Sequence, residues 1–267
     1  MTISGDGRWA TYAQALWQEM EGLLTEEGRT PPGADRVRAL FRAHMPELVP
    51  VLDRLAGQLD RPGAEAFLTH AALRPFTQSC TQISRNGTLL RNYDLRPDQC
   101  EGTIAASCYL RPVIGMQDML WGLLDGMNDA GLAVSLTWGG RSVYGRGFAI
   151  LILVRYLLET CDSVDEAVDR LRSLPVAVPQ NLTLVDPVKA VTVFVGPDMS
   201  PTVAPDACAA NHQHLPVTDE QGSRTLYTAH YRPVEGRVTY YWPGESWQQS
   251  FGDFTPGSRT VTFGRAG

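Results

Sequence analysis

The sequence has few cysteines, no long apolar run and no cluster of basic residues. Its five cysteines are an odd number without metal-ligand spacing, which favours reduced thiols over a disulfide framework or a zinc site. The most apolar stretch, residues 148–158, is too short to cross a bilayer and contains Arg155. The first ten residues lack the apolar core of a secretory signal. We therefore expect a cytoplasmic protein without a membrane segment.

Positive charge is also scarce. The 23 Lys and Arg residues stand against 29 Asp and Glu residues, which gives a net charge of −6, and the basic side chains are scattered. This composition argues against a nucleic-acid or anionic-membrane surface. The five histidines offer no cysteine a convincing catalytic partner, and the chain has no phosphate loop, dinucleotide fingerprint or zinc signature. We expect no cofactor and no metal.

Apolar periodicity divides the chain near residue 80. Before that point the spacing of three and four predicts helices over residues 9–23 and 37–55, the second split by Pro46 and Pro50, and a short helix over residues 64–73. After it, alternation and short apolar runs predict nine strands. These strands cover residues 81–84, 88–93, 103–109, 131–138, 182–186, 191–195, 225–231, 237–241 and 260–263.

Helices interrupt the strands once. Residues 148–160 are apolar almost all round, which predicts a buried helix, and Ser163 with Glu166 forms a capping box that begins another. Asn86-Gly87 predicts a tight hairpin turn between the first two strands. Helices in one block between two sets of strands indicate a layered α+β domain.

Cys80 lies at the switch from helix to strand, with polar neighbours. A free cysteine usually packs in a core, so a structural role competes with that of a nucleophile. A hairpin turning at Asn86-Gly87 would bring Arg91 and Asp94 beside Cys80. That pair is either a surface ion pair or a charged support for a thiolate, and the spacing leaves both open.

Several segments together resemble the penicillin-acyltransferase group of N-terminal-nucleophile hydrolases, which is related to bile salt hydrolases and penicillin V acylases. The matching segments are Cys80-Thr81-Gln82, Arg91-Asn92-Tyr93-Asp94, residues 121–135, 155–160 and 181–186, Asn211-His212-Gln213, Trp242-Pro243-Gly244 and residues 246–251. They cover nearly the whole chain, and their order is the most specific feature of the resemblance.

The resemblance implies a four-layer αββα sandwich and a precursor that cuts itself before the cysteine. Residues 1–79 would be a helical N-terminal segment packed on the catalytic domain of residues 80–267. Cys80 would be the nucleophile and its freed α-amine the base, since an α-amine titrates near neutrality. Arg91 and Asp94 match the family's charged supports, and Asn211 matches its oxyanion-hole asparagine. Trp138 falls where bile salt hydrolases and penicillin V acylases place a second asparagine or a tyrosine, so its backbone or ring is expected to line the acyl pocket.

Two departures from the family pattern leave alternatives open. Ser79 precedes the cysteine where relatives carry glycine, and the chain between Asn211 and Thr225 lacks a helical segment that carries an arginine in relatives. Arg224 is a candidate replacement. The expected reaction is hydrolysis of a small acyl amide; the alternatives are acyl transfer from a thioester donor to an amine, and an unprocessed, non-catalytic relative. The sequence leaves substrate identity and homo-oligomerisation open.

Overall fold

The structure is a computed structural model that describes residues 2–3, 8–25, 33–71, 79–97, 100–211 and 224–263. The α-helices are α1 Arg8–Thr25, α2 Ala34–His44, α3 Val49–Leu59, α4 Ala64–Leu68, α5 Ile150–Thr160 and α6 Val164–Leu171. The strands are β1 Thr2–Ile3, β2 Ser79–Arg85, β3 Thr88–Leu95, β4 Thr103–Cys108, β5 Pro112–Asp118, β6 Gly122–Asn128, β7 Ala133–Trp138, β8 Gln180–Val185, β9 Ala190–Gly196, β10 Met199–Ala204, β11 Cys208–Ala209, β12 Arg224–Arg232, β13 Arg237–Trp242 and β14 Glu245–Ser250.

These strands form two sheets. An eight-stranded sheet has the order β1-β4-β5-β6-β7-β8-β9-β10, and a six-stranded sheet has the order β11-β2-β3-β12-β13-β14. The β1–β4 pair is parallel, and the other described pairs are antiparallel. Short connections join many of the antiparallel neighbours, whereas β7–β8, β3–β12 and β2–β11 pair across long stretches of chain.

The two sheets face each other, with β2 lying against β7 and β8. Gln82 on β2 joins them: its Nε2 donates to the Asn181 carbonyl at 3.2 Å, and its Oε1 accepts from Ser135 Oγ at 2.6 Å. The side chain can be buried because both ends of its amide are satisfied. The predicted α+β sandwich of two facing sheets with helices is confirmed.

Helix α5 packs on β6 and β7 of the eight-stranded sheet and is buried along nearly its whole length. Close approach there requires glycine, since a Cβ at Gly126 would lie 2.8 Å from the Leu158 side chain. The predicted buried helix is therefore confirmed. The Ser163 N-cap is confirmed too, because its Oγ accepts from the Glu166 amide at 3.3 Å, while the Glu166 carboxylate accepts from the Asp162 N–H at 2.8 Å rather than from that of Ser163.

The N-terminal helices share the core of the strand region. Trp9 Nε1 donates to the Leu120 carbonyl at 2.8 Å, and Trp121 Nε1 donates to the Leu68 carbonyl at 2.8 Å. These reciprocal contacts tie α1 and α4 to the turn between β5 and β6. The boundary at residue 79 stays a prediction, and residues 72–78 lie outside the described part of the chain.

Sequence patterns missed some elements and extended others. Strands β5 and β6 were not predicted, because they are buried on both faces and therefore lack alternation. Helix α4 ends at Leu68 rather than at residue 73, and residues 260–263 do not form a strand. Pro46 does interrupt the second helical stretch, whereas Pro50 occupies the first turn of α3, where a missing N–H costs little.

Candidate active site

Cys80 is the second residue of β2 and is fully buried. Asn86 and Gly87 turn the chain with φ values of 53° and 69°, which sets the register that pairs Cys80 with Tyr93. Because side chains two residues apart on a strand share a face, Arg91 lies on the same face of β3 as Tyr93. The Arg91 Nη2 donates to Cys80 Sγ at 3.2 Å. The hairpin thus brings a guanidinium to the thiol.

The Arg91 guanidinium is held on several sides. Its Nε donates to the Leu136 carbonyl at 3.2 Å, and its Nη1 donates to Asp125 Oδ2 at 2.6 Å and to Tyr227 Oη at 3.0 Å. Its central carbon lies 4.8 Å from the centre of the Tyr93 ring. A planar fork with this many partners has one orientation, so Nη2 is aimed at the sulfur.

Asp125 is the fully buried counter-ion of Arg91. Its Oδ2 also accepts from Tyr227 Oη at 3.0 Å, and its Oδ1 accepts from Tyr231 Oη, which lies 2.8 Å from Tyr240 Oη. A buried carboxylate is tolerated when its charge and lone pairs are satisfied in this way. The network balances the positive charge of Arg91 inside the sandwich.

Burial favours the protonated form of the thiol in the intact chain. Burial raises the pKa of Cys80, while the Arg91 charge and the backbone N–H of Asp94 act to lower it. Burial lowers the pKa of Arg91, but the acidic groups of Cys80, Tyr227 and Asp125 more than offset this and raise it well above its usual value. The guanidinium is therefore permanently charged, whereas the thiol needs a base to become a nucleophile.

Asn211 contacts the main chain of the same cysteine. Its Oδ1 accepts from the Cys80 backbone N–H at 2.8 Å, and since an N–H can only donate, this contact fixes the orientation of the amide. The preceding carbonyl, that of Ala210, accepts from Asn181 Nδ2 at 2.7 Å and from Thr137 Oγ1 at 3.0 Å. Residue 211 is thereby tied to β7 and β8 of the facing sheet.

Asp94 is near Cys80 in the ladder, but its side chain points elsewhere. It pairs with Ser79 across the β2–β3 hairpin and lies on the opposite face from Arg91. Its Oδ1 accepts from Thr225 Oγ1. Of the two predicted charged supports, the structure brings Arg91 to the Cys80 sulfur. Asp94 instead lies beside the backbone of Ser79, the residue before Cys80.

Trp138 does not join this group. Along β7, Ser135 and Thr137 point toward the six-stranded sheet, so alternation places the half-buried Trp138 ring on the other face. Its carbonyl accepts from Asn181 Nδ2 at 3.3 Å. Nothing among the described residues links the ring to Cys80, so its place in an acyl pocket stays a prediction.

Sequence reasoning missed Asp125 and Tyr227 as parts of the site. Asp125 interrupts an otherwise apolar stretch, Trp121–Met127, and an isolated acid in such a stretch indicates a buried partner. Tyr227 carries no such signal. Arg224, the candidate replacement for the arginine of relatives, begins β12 opposite Leu95. Residues 212–223, where the chain is predicted to lack the helical segment of relatives, lie outside the described residues.

A cavity of about 660 Å³ lies on the other side of the hairpin, because its lining residues Ile83 and Leu90 are on the strand faces opposite to Cys80 and Arg91. Thr81 and Gln82, which follow Cys80, and Ala210, which precedes Asn211, are among its lining residues. Apolar side chains complete part of the wall: Ile83, Leu90, Ala209 and Phe194. Within the described residues there is no group of three or more His, Cys, Asp or Glu that could hold a metal ion, and no helix is long and apolar enough to cross a membrane.

Residues 80–223 match the family model of acyl-coenzyme A:6-aminopenicillanic acid acyl-transferase, and the match begins at Cys80. The chain belongs to this acyl-transferase family. The matched part is just over half of the chain and includes Cys80, Arg91, Asp125 and Asn211. No curated protein sequence matches the chain.

Solved structures similar to this member of the acyl-transferase family include three hydrolases. Conjugated bile acid hydrolase from Clostridium perfringens, a mutant form, is 11% identical over 70% of this chain and 100% of its own, with a TM-score of 0.47. Penicillin V acylase from Agrobacterium tumefaciens is 13% identical over 66% and 86%, with a TM-score of 0.48. The Caenorhabditis elegans ortholog of N-acylethanolamine-hydrolyzing acid amidase is 14% identical over 64% and 98%, with a TM-score of 0.42. At this similarity, none of them identifies a substrate for this chain.

Proposed function

We propose that the protein is a self-processing cysteine amidohydrolase of the N-terminal-nucleophile type, which cleaves the C–N bond of a small linear acyl amide through an acyl thioester on Cys80. One observation carries the proposal. Both reactive atoms of Cys80 have a dedicated buried partner: Sγ accepts from Arg91 Nη2 at 3.2 Å, and the backbone N–H donates to Asn211 Oδ1 at 2.8 Å. A cysteine that only fills a core needs neither contact.

Processing would begin at the Ser79–Cys80 bond. The thiol sulfur attacks the Ser79 carbonyl, the C–N bond breaks, and the proton of the thiol passes to the nitrogen, which becomes the α-amine. Water then hydrolyses the thioester and releases the segment that ends at Ser79. Arg91 supports the negative charge that develops on sulfur, because its guanidinium is fixed in place by its other partners before the reaction starts.

Turnover would use the new amine as the base. The α-amine takes the proton of the thiol, the thiolate attacks the acyl carbonyl, and the leaving amine departs with that proton. Asn211 serves two functions in this scheme: Oδ1 keeps its contact with the nitrogen of Cys80, while Nδ2, at the other end of the same amide, donates to the oxyanion. Water then releases the acid from Cys80.

Asp94 is proposed to hold the new terminus. It lies opposite Ser79 in the β2–β3 ladder, so cleavage creates an α-amine one residue from Asp94, whose carboxylate would stabilise the ammonium that forms when the amine takes the thiol proton.

Intact mass spectrometry tests the proposal. The purified wild-type protein is expected to give two chains that meet between Ser79 and Cys80, and Cys80→Ala is expected to give one. As a matched control, Cys108→Ala changes an exposed cysteine and should process like wild type. An active preparation that contains only the full-length chain would show that the α-amine is not the base.

Acyl transfer is the second candidate, and the family model favours it by its description. Hydrolysis and transfer share the acyl thioester and differ in whether water or an amine attacks it. Adding an amine acceptor to the processed protein with an activated acyl donor separates them. A new amide in place of the free acid would establish the transferase. A chain that stays whole and inactive would instead fit the unprocessed relative, for which Ser79 in place of glycine is the motivating departure.

A further inference from the structure

The chain leaves the six-stranded sheet just before Asn211. Strand β11 pairs with β2 in a register where the Ser84 N–H donates to the Ala207 carbonyl at 2.7 Å. Continued along both strands, the same register would set the Asn211 carbonyl opposite the Cys80 N–H. The Cys80 N–H instead donates to the side-chain Oδ1 of Asn211 at 2.8 Å. Contacts outside the β11–β2 ladder therefore decide where residue 211 lies.

Two donors from the facing sheet hold the main-chain carbonyl that precedes Asn211. Thr137 Oγ1 donates to the Ala210 carbonyl at 3.0 Å, and Asn181 Nδ2 donates to it at 2.7 Å. Thr137 and Asn181 are directly opposite each other on β7 and β8, so their side chains share one face of that sheet. Asn181 Nδ2 also donates to Thr137 Oγ1 at 3.2 Å, which closes a triangle of hydrogen bonds around the carbonyl.

The polar character of this pair needs an explanation, because both side chains are fully buried. A buried hydroxyl or amide costs free energy unless it is hydrogen-bonded, whereas an apolar pair would fill the same space without that cost. Asn181 also holds the strand of the nucleophile, since its own carbonyl accepts from Gln82 Nε2 at 3.2 Å. Gln82 lies on the same face of β2 as Cys80. One residue of β8 therefore braces both the strand that carries Cys80 and the chain that carries Asn211.

We propose that Thr137 and Asn181 are positioning residues for the reaction at Cys80. They hold the Ala210 carbonyl on the facing sheet and so place the side chain of Asn211, rather than its main chain, on the Cys80 nitrogen. The role rests on the proposed function, in which Asn211 Nδ2 donates to the oxyanion. Both residues act through Asn211 and not on the substrate. Because such a donor works only when it already points at the developing charge, a small shift of Asn211 weakens the transition state more than it weakens substrate binding.

Steady-state hydrolysis of hexanoyl p-nitroanilide, a linear acyl amide, by the processed protein tests the proposal. Thr137→Val keeps the size of the side chain and removes its donor, so kcat is expected to fall about tenfold while KM changes by less than about twofold. Asn181→Leu removes the shorter hydrogen bond and should lose more, towards the about hundredfold loss expected for Asn211→Ala. Thr137→Ser keeps the hydroxyl and should restore most of the wild-type rate.

The matched control is Thr183→Val. Thr183 is buried on β8, on the same face as Asn181, and its Oγ1 lies 3.2 Å from Thr192 Oγ1. Its replacement removes a hydroxyl whose hydrogen bond runs to Thr192 rather than to the Ala210 carbonyl. Thr183→Val should therefore lower the melting temperature about as much as Thr137→Val does, while its kcat stays like that of wild type. Equal losses of kcat in the two variants would show a structural role alone and overturn the proposal.

A double-mutant cycle shows whether the pair acts through Asn211. If it does, adding Thr137→Val to Asn211→Ala should lower kcat by less than about a further twofold, because the group being positioned is already absent. A further loss as large as the one that Thr137→Val causes alone would overturn the proposal.

A second measurement needs no turnover. In the uncleaved Cys80→Ala chain, Thr137→Val and Asn181→Leu should each shift the side-chain amide NMR signal of Asn211, and Thr183→Val should leave it in place. An unshifted signal in both variants would overturn the proposal. Normal turnover in Asn211→Ala would instead refute the proposed function of Asn211, while the NMR signal would still report whether the pair holds the Asn211 amide in place.

Discussion

Replacing Asp125 by asparagine should destabilise the protein far more than such a small change normally does. The substitution removes the charge that balances Arg91, and both side chains are fully buried. Asparagine can keep an acceptor for Tyr231, but its amide nitrogen would then face Arg91 Nη1, a donor facing a donor. Removing one partner of a buried ion pair costs about 3–5 kcal/mol. For a chain of this size that corresponds to a fall of about 6–20 °C in melting temperature.

The measurement is urea unfolding followed by circular dichroism, on a Cys80→Ala background so that processing cannot differ between variants. The matched control is Asp129→Asn, which makes the same chemical change in a half-exposed pair, where Asp129 Oδ1 accepts from Arg111 Nε at 2.9 Å. Exposed pairs contribute about 0–1 kcal/mol, so the control should lose little.

A double-mutant cycle separates the ion pair from general packing. Arg91→Met alone leaves the Asp125 carboxylate buried without its counter-ion. Asp125→Asn alone leaves the Arg91 guanidinium buried without its counter-ion. Combining them should cost less than the sum of the two single changes by at least about 1 kcal/mol. If Asp125→Asn were no more destabilising than Asp129→Asn, the pair would not hold Arg91 in place, and the proposed geometry at the sulfur would lose its basis.

Three further outcomes are expected. Asn211→Ala should lower turnover by about a hundredfold. Asn211→Asp should be slow as well, because it keeps an acceptor for the Cys80 nitrogen but lacks the oxyanion donor. Normal steady-state rates in both variants would exclude Asn211 from catalysis. Because burial raises the pKa of Cys80, the folded chain keeps the thiol proton where the unfolded chain loses it, above about pH 8.5. The unfolding free energy of the uncleaved chain with Cys80 should therefore fall with rising pH more than that of Cys80→Ala; equal slopes would contradict this. Gly115→Ala should lose about 1–3 kcal/mol of unfolding free energy, because its Cβ would lie 2.3 Å from the Asp125 carbonyl oxygen. Gly57→Ala should instead gain stability, because Gly57 is exposed on a helix and its Cβ would have nothing within 4 Å. Denaturant titration measures both changes.

The sequence alone determined the local features of the site. Asn86-Gly87 prefers a tight turn because both residues tolerate positive φ, and that turn fixes which residue of β3 faces Cys80. Family motifs then pointed to Arg91 and Asn211, which the structure brings to the sulfur and to the nitrogen of Cys80. The helices α5 and α6 were likewise predictable, because apolar composition and a capping box are local signals.

Only the tertiary structure decided what lies across the gap between the sheets. Asp125 is on β6 and Tyr227 is on β12, and no local rule brings elements more than a hundred residues apart onto one guanidinium. Strand alternation also places the Asp94 side chain on the opposite face of the hairpin from Arg91, so its role at the new terminus stays a prediction. Sequence spacing brought the residues near Cys80, while sheet pairing and packing determined which atoms reach it.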